Sequence, residues 1–521
     1  MHAIAAPGAG VPMIAPPLEI LSTHAMGAAD RYAIEAGRSG GALMDAAGAG
    51  IASAIQQRWA PRATAVLCGP GNNGGDGWEA AHLLARAGWP VRVFSLVERG
   101  ALNGDAARAA QKWADDVAPL ERCDPAQFAL VIDALFGAGL TRALDGEAAR
   151  LAEQTQRGSR VVVSADVPSG VDGDLARPLG PAFTADLTVT FHRFKPAHLL
   201  QPAAKLCGEV TLVDIGIPAG WEQAAAPQAH LNDPTLWPST GRALDVEAHK
   251  HSRGRLCVRA GPKGATGAAR LSARAALIGG AGFVTLLCRD NALVEAAKED
   301  AALVTRAFAA EDGFGEILAA HRADAWVIGP GAGLTDSLRR AVVSALERGG
   351  PGVLDADALS VFASGVQTLF EALHDQVVLT PHGGEFARLF PDLAAESNLS
   401  KIEKTRRAAM RAGCIVLHKG PDTVIADPQG RVRVNAHASA ALATAGTGDV
   451  LAGLIGAFLA QGVNAFDAAS AGAWIHGEAG RRSGAGATVD TVLAKSPGAL
   501  AHLVDLHTRQ AALRRVTAAD G

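Results

Sequence analysis

Between residues 64 and 216 short apolar runs alternate with Ala-rich stretches of helical period. TAVLC (64–68), PVRVFSLV (90–97), FALVIDALF (128–136), RVVVSADV (160–167), ADLTVTFH (185–192) and GEVTLVDIG (208–216) predict strands. WEAAHLLARAG (78–88) and GEAARLAEQTQRG (146–158) predict helices between them. The strands are apolar without alternation, so both of their faces are buried. That describes a parallel sheet covered by helices, a Rossmann-like three-layer α/β/α domain. An amphipathic run from Met26 to about Gln57 precedes the first strand and predicts one or two helices on the sheet.

The pattern then lapses. Residues 218–244 hold four prolines and no period, which marks a linker. Beyond it GRLCVRAG (254–261), GFVTLLC (282–288), AWVIGPG (325–331), GVLDAD (352–357), QVVLTP (376–381) and CIVLHKG (414–420) predict a second α/β domain. It ends in helices near 448–461 and 465–482. We expect a loose arm over 1–25, domains over 26–217 and 245–505, and a tail over 506–521. GAGLT occurs at 137–141 and again at 331–335, with no longer self-similarity, which indicates repeated turn chemistry and not a duplication.

A length of 521 residues fits two domains, and 49% hydrophobic with 19% charged residues fits a globular chain. A net charge of −4 offers no footprint for nucleic acid or an anionic membrane, so neither is expected as a partner. The cysteines (68, 123, 207, 257, 288, 414) have no metal-like spacing and suit a reducing compartment. The start, with four prolines in its first 22 residues and no basic region, makes a poor signal peptide. The apolar segment 450–462 is too short to span a bilayer. A cytoplasmic protein, assembling as a homo-oligomer, is the expectation.

Ligands of parallel α/β sheets gather at the carboxyl ends of the strands. Three polar stretches fall there in the first domain: CGPGNNGGDG (68–77), DALFGAGLTR (133–142) and SADVPSGVDGD (164–174). Gly69, Gly71 and Gly74 satisfy a G-x-G-x-x-G pattern, which admits a phosphate at a helix start. Oxygens of Asn73, Asp133 and Ser169 suit a hard cation, and Asp166 is a candidate general base. An Asp at a strand end is more often a helix cap or turn former than a base. Residue chemistry alone reaches a phosphate-bearing ligand and a possible cation.

NNGGDG, D-x-LFG-x-G and ADVPSG, with LMDAAG (43–48), FHRFKPAH (191–198) and VDIGIP (213–218), resemble the YjeF N-terminal family, the NAD(P)H-hydrate epimerases. The resemblance covers about 26–217. It implies interconversion of the R and S forms of hydrated NADH and NADPH. The hydrate would contact Asn72, Asn73, Gly74, Gly75, Asp76, Gly137, Ala138, Gly139, Leu140, Thr141, Arg142, Ala143 and Asp166. Asn73, Asp133 and Ser169 would hold a potassium ion (K+), Asp166 would be the acid/base residue, and Lys195 would lie near the substrate. The family usually has Glu-Asn where this chain has Asp45-Ala46.

In the second domain Gly446-Thr447-Gly448-Asp449 opens an apolar helix. Such a turn can stabilise a transferring phosphoryl group, with Asp449 orienting or deprotonating the attacking hydroxyl; Asp449 is equally a helix cap. His382 and Glu385 fall in a turn before a helix, and Asp355 and Asp357 read as turn or metal-related. These stretches, with HKHSRG (249–254), 264–282, DADAL, TPHGGE and KG-x-x-TV, resemble the YjeF C-terminal family, the ADP- or ATP-dependent NAD(P)H-hydrate dehydratases, over about 245–505. The resemblance implies a ribokinase-like fold and removal of the S hydrate's hydroxyl as phosphate, at the expense of ADP and with Mg2+. Asp449 would be catalytic; Ala268, Gly331, His382 and Asp449 would face the hydrate. Lys419, Gly420, Pro421, Asp422, Thr423 and Gly448 would bind the nucleotide. Members commonly carry Gly-Asn where Ala438-Ser439 stands.

The leading expectation is therefore a bifunctional repair enzyme acting on hydrated NADH and NADPH (NADHX and NADPHX) with ADP. A dehydrogenase explains G-x-G-x-x-G and offers Glu98 for a ribose, but lacks a hydride-transfer constellation. A small-molecule kinase fused to a nucleotide-binding module explains GTGD but leaves the first domain idle. A chain active only in its dehydratase half and a non-catalytic binding protein in which Asp45-Ala46 has silenced the epimerase half are the remaining alternatives.

Overall fold

A computed structural model describes residues 17–237, 252–298, 301–309, 313–437 and 439–519, with side chains to 509. The chain divides into two compact units, Met1–His230 and Leu231–Gly521.

The first unit is built on a seven-stranded sheet. Its order is Glu209–Val213, Leu187–Phe191, Val161–Ala165, Leu130–Ala134, Thr64–Cys68, Val91–Ser95 and Val117–Pro119, parallel throughout. Side chains alternate across each strand. Val66, Cys68, Leu130 and Ile132 pack beneath Ile51, Trp78 and Leu84 of the helices Gly40–Arg58 and Asn72–Arg86. Ala65, Leu67 and Val131 turn the other way, towards Ala148, Leu151 and Ala152 of Gly146–Thr155. Both faces are covered, which gives the three-layer architecture and explains why the strands read as unbroken apolar runs. The chain winds outward from Thr64–Cys68 in one direction and restarts on its other side at Leu130–Ala134. The carboxyl ends of these two strands therefore border a switch point, where loops diverge and leave a cleft.

Among the described residues the sheet of the second unit runs in the order Val432–Asn435, Thr423–Ala426, Ile415–His418, Val377–Leu379, Gly352–Leu354, Ala325–Ile328, Arg255–Arg259, Phe283–Arg289 and Val304–Phe308. Seven run parallel, and the pair Thr423–Ala426 and Val432–Asn435 is added antiparallel. Helices Gly267–Ile278, Thr447–Ala460 and Ala465–Ser483 bury one face. Here the switch point lies between Arg255–Arg259 and Ala325–Ile328.

Three boundaries differ from the sequence expectation. Of the arm, residues 1–16 lie outside the described residues; Glu19 and Ile20 pair antiparallel with His230 and Ala229, and a helix Thr23–Glu35 begins behind its cap Ser22. The linker stretch 218–244 contains a helix, Trp221–Ala225, and a strand, Ala229–Leu231, because Trp221 and Ala225 bury against Leu21 and Ala29; its residues 238–244 lie outside the described residues. The tail from 506 continues the helix Val489–Ala519, since Leu506 still packs on the core one turn beyond buried Leu503. The two GAGLT segments take different backbones: Gly331 and Gly333 adopt φ of 62° and 81°, and Gly137 and Gly139 do not adopt positive φ. No described helix is long and apolar enough to cross a membrane.

Candidate active sites

The switch point of the first unit opens into a cleft of about 710 Å³. Of the residues expected to meet a ligand, Asn72, Asn73, Asp76, Gly137, Ala138, Gly139, Leu140, Thr141, Arg142 and Asp166 line it, as does Lys195. Gly74, Gly75 and Ala143 do not. A Cβ on Gly74 would meet the Gly69 carbonyl at 1.9 Å, and one on Gly75 would meet Met44 at 2.5 Å, so both glycines serve packing. Gly69 likewise crosses the Leu135 carbonyl, whereas Gly71 faces open space. The three glycines of the pattern thus divide between two close crossings and one open approach. Gly71 caps the helix Asn72–Arg86 with no side-chain bond, which leaves its first N–H groups facing the cleft.

Asp166 closes the strand Val161–Ala165 in a left-handed conformation, φ 62°. An Asp held there is rare and is kept by its surroundings. One of these is His198, whose Nε2 meets the Asp166 carbonyl at 2.7 Å while Nδ1 accepts the Lys195 N–H at 2.9 Å. A carbonyl only accepts, so the proton sits on Nε2. Burial, then the neighbouring Lys195, pushes the His198 pKa down to about 4, which keeps this arrangement neutral. The Asp166 carboxylate takes Lys195 Nζ at 2.7 Å, the Thr190 hydroxyl at 3.0 Å and the Ala138 N–H at 3.1 Å. Burial alone would raise its pKa, but the charge and hydrogen bond of Lys195 dominate and hold it at about 2. Asp76 behaves oppositely: burial, with Asp166 and Asp30 nearby, raises its pKa well above the usual range.

Asp133 is fully buried. Its oxygens accept from the Ser169 hydroxyl at 2.6 Å, the Ser164 hydroxyl at 2.9 Å and the Ser169 N–H at 2.8 Å. The Asn73 amide has buried oxygen and nitrogen without any partner. Its oxygen and Asp166 Oδ2 stand 3.2 and 3.1 Å from where a Cβ on Gly137 would lie. That glycine leaves room for a ligand between them.

In the second unit Gly446, with φ 91°, turns the chain into the helix Thr447–Ala460. The turn brings Gly448 beside Lys419, whose Nζ would lie 3.5 Å from a Cβ there, with Asp355 Oδ2 at 3.9 Å. Lys419 pairs with Asp355 at 2.7 Å and lies 3.9 Å from Glu385. The Thr380 hydroxyl completes the support of Asp355 at 2.8 Å. Burial opposes the charge on Lys419, yet these carboxylates raise its pKa above the usual value. Burial first, and then the charge of Asp355, raises Asp449 to about 7. Asp449 is not a side-chain cap of its helix, which has none.

The remaining expected residues fall around this centre. Ala268 and Gly331 face each other, with 3.2 Å between the Ala268 Cβ and the position of a Gly331 Cβ. His382 caps the helix Gly383–Leu389, accepting the Gly384 N–H at 2.9 Å, and its backbone neighbour Pro381 accepts the Lys419 N–H at 2.8 Å. Asp422 pairs with Lys401 at 2.7 Å, and Thr423 bonds to the Gly420 carbonyl at 2.9 Å, which folds the Lys419–Thr423 turn.

The family profile described as NAD(P)H-hydrate dehydratase matches residues 256–498, and that described as YjeF-related protein N-terminus matches 40–197. The bifunctional NAD(P)H-hydrate repair enzyme of Moorella thermoacetica is 34% identical, covering 84% of this chain and 87% of its own. The chain belongs to the bifunctional NAD(P)H-hydrate repair enzymes. The Escherichia coli member of this family is 31% identical, with 80% of this chain and 79% of that one covered. Among solved structures, the ADP/ATP-dependent NAD(P)H-hydrate dehydratase of Bacillus subtilis, co-crystallised with ATP/Mg2+, covers 52% of this chain and 98% of its own at a TM-score of 0.44 and 24% identity.

Two departures from the family pattern can now be placed. Asp45 faces away from the cleft and pairs with Arg108 at 2.7 Å and Lys112 at 2.9 Å. Ala46 packs against the core beside it. Ser439 caps a single turn, Ala440–Leu442, and Ala438 lies outside the described residues. Of the HKHSRG motif, residues 249–251 also lie outside them. Sequence reasoning missed Asp30 and His198 at this repair enzyme's first site, and Ser272, whose hydroxyl bonds the Asp449 carbonyl at 2.8 Å, at its second. A signal existed for Asp30: it shares a helix face with Met26, Gly27 and Ile34, a carboxylate within an apolar stripe.

Proposed function

We propose that the first unit interconverts R- and S-hydrated NADH and NADPH, and that the second dehydrates the S form with Mg2+ and ADP, giving AMP and phosphate. The observation that carries this reading is Asp449. Its carboxyl stands at a helix N-terminus beside the Lys419–Asp355 pair, with a pKa near 7. A base poised there can take the proton of the hydrate's C6 hydroxyl as that oxygen attacks the terminal phosphorus of ADP. The Gly448 N–H, at a helix start with no side-chain cap, faces the transferring phosphoryl group, while the Thr447 N–H reaches back to the Thr444 carbonyl at 3.4 Å. Lys419 to Thr423 hold the nucleotide, while Ala268, Gly331 and His382 face the hydrate. Phosphorylation makes the C6 oxygen a good leaving group, and elimination restores the dihydronicotinamide.

In the first unit the pyrophosphate rests on the open N–H groups at Asn72 and Asn73, and Asp166 is the carboxylate of the reaction. The donor set Asn73, Asp133 and Ser169 is all oxygen, and the orphaned buried Asn73 oxygen fits a monovalent hard cation such as K+. When bound, K+ supplies positive charge that anchors the hydrate's anionic part. Lys195 and His198 hold Asp166 in place and ionised.

The test is to incubate R-enriched NADH hydrate with the chain, ADP and Mg2+ in potassium buffer and to follow NADH formation by absorbance. Steady conversion of both epimers is expected. Absence of NADH from S hydrate removes the dehydratase reading, and conversion of S hydrate alone removes the epimerase reading.

A further inference from the structure

The helical wall of the first cleft carries a carboxyl that the assignments above do not use. Asp30 lies mid-way along Thr23–Glu35 and lines the cleft with Met26 and Gly27. Among the described residues its carboxyl makes no hydrogen bond. Asp76 likewise shows no side-chain hydrogen bond, whereas the other two aspartates named at this site are occupied. Asp133 has its oxygens filled by serines and backbone, and Asp166 is bound by Lys195, Thr190 and Ala138. Its helix is tied to the Asp166 loop: Thr23 donates both its N–H, at 2.8 Å, and its hydroxyl, at 2.5 Å, to Asp174. Asp30 and Asp166 both line this cleft, one from the helix Thr23–Glu35 and the other from the end of Val161–Ala165.

Inversion at C6 needs a proton given and a proton taken, one for each direction of water. We propose that Asp30 is a second catalytic residue of the epimerisation, the acid that complements Asp166. The inference rests on the epimerase reading given above. In the step, the C6–O bond breaks as the ring nitrogen's electron pair forms a C6=N1 bond, and the Asp30 proton leaves with the hydroxyl as water. Water then adds to the other face of C6, the electron pair returns to nitrogen, and the proton lost by that water passes to Asp166. Proton return from Asp166 to Asp30 through solvent completes the cycle, and the reverse direction exchanges the two roles.

The surroundings suit this division. Burial, opposed by Lys195 and reinforced by Asp166, raises the Asp30 pKa, whereas Asp166 is held low. Carboxyls pushed apart in this way are fitted for acid and base work. The charged or titratable groups around Asp30 are Lys195 and Asp166 at the strand ends, Asp76 on the helix Asn72–Arg86, and Arg31 on its own helix.

The experiment follows R-to-S conversion by chromatography for the full chain, Asp30→Asn and Asp30→Glu across pH 5–9. Expected for Asp30→Asn is a fall in kcat of about a hundredfold or more, the range of general acid catalysis, with KM within about threefold. The fall of the wild-type rate on the alkaline side disappears with it, and Asp30→Glu recovers part of the rate. Asp30→Asn with wild-type kcat overturns the inference, as does an equal loss at every pH that Glu does not restore. A wild-type chain that leaves R hydrate unconverted removes the underlying epimerase reading instead, and the inference with it.

Discussion

Asp166 closes a strand of a parallel sheet and Asp449 sits in the first turn of a helix, and their surroundings push them in opposite directions. Lys195 outweighs burial at Asp166, whereas at Asp449 burial and Asp355 outweigh Lys419, which is already paired. Asp449 must be ionised to act as a base. The kcat/KM for dehydration is therefore expected to fall as pH drops below about 7, read from a pH–rate profile with S hydrate, and Asp449→Asn abolishes dehydration while epimerisation continues. The same residue bears on stability. A carboxyl whose folded pKa is raised binds its proton more tightly in the folded state, so stability is lost as pH rises from the ordinary carboxylate range through about 7. Asp449→Asn should thus raise the Tm of the second unit at pH 8 and leave it unchanged at pH 4, by calorimetry. Asp166→Ala acts the other way, since it strands the buried Lys195 charge. A loss of about 3–5 kcal/mol is expected by denaturant titration, together with loss of R-hydrate conversion.

At the scale of elements, the loop between Thr64–Cys68 and Asn72–Arg86 shows how a motif splits its labour. Only Gly71 looks onto open space, while Gly69 and Gly74 permit backbone crossings that any Cβ would block. Gly74→Ala places a methyl 1.9 Å from a carbonyl that cannot move without shifting the strand end. It should destabilise the first unit by about 1–3 kcal/mol or more and abolish epimerisation, leaving ADP-dependent dehydration of S hydrate intact. A urea titration with the two assays in parallel checks this. Most strands were legible because the central ones are buried on both faces. Val304–Phe308 was not, since it is a sheet edge with exposed Arg306 and Ala307 and so lacks the continuous apolar run. Asp30 was legible only as a lone carboxylate in an apolar helix stripe, a signal that does not say what that face meets.

For the molecule as a whole, each unit carries its own sheet with its own switch point, the first at Thr64–Cys68 with Leu130–Ala134 and the second at Arg255–Arg259 with Ala325–Ile328, and each matches its own family profile. The two activities should therefore respond to conditions independently. Replacing potassium by a large organic cation is expected to slow R-hydrate conversion several-fold, with S-hydrate dehydration unaffected; equal rates for both in the two buffers would remove the proposed Asn73–Asp133–Ser169 cation site.

By itself the sequence determined the layering and the family. Apolar runs without alternation force two covered faces, and motif sets in fixed order leave few alternatives for the chemistry. What only tertiary structure decided was the state of each aspartate. Asp30, Asp76, Asp133, Asp166 and Asp449 are the same side chain, and chain position does not tell which is filled by serines, paired with lysine or left alone in a cleft. Those differences come from burial and from charges brought together across as many as 165 residues, as with Asp30 and Lys195. Electrostatic energy depends on distance and dielectric, neither of which is written along the chain.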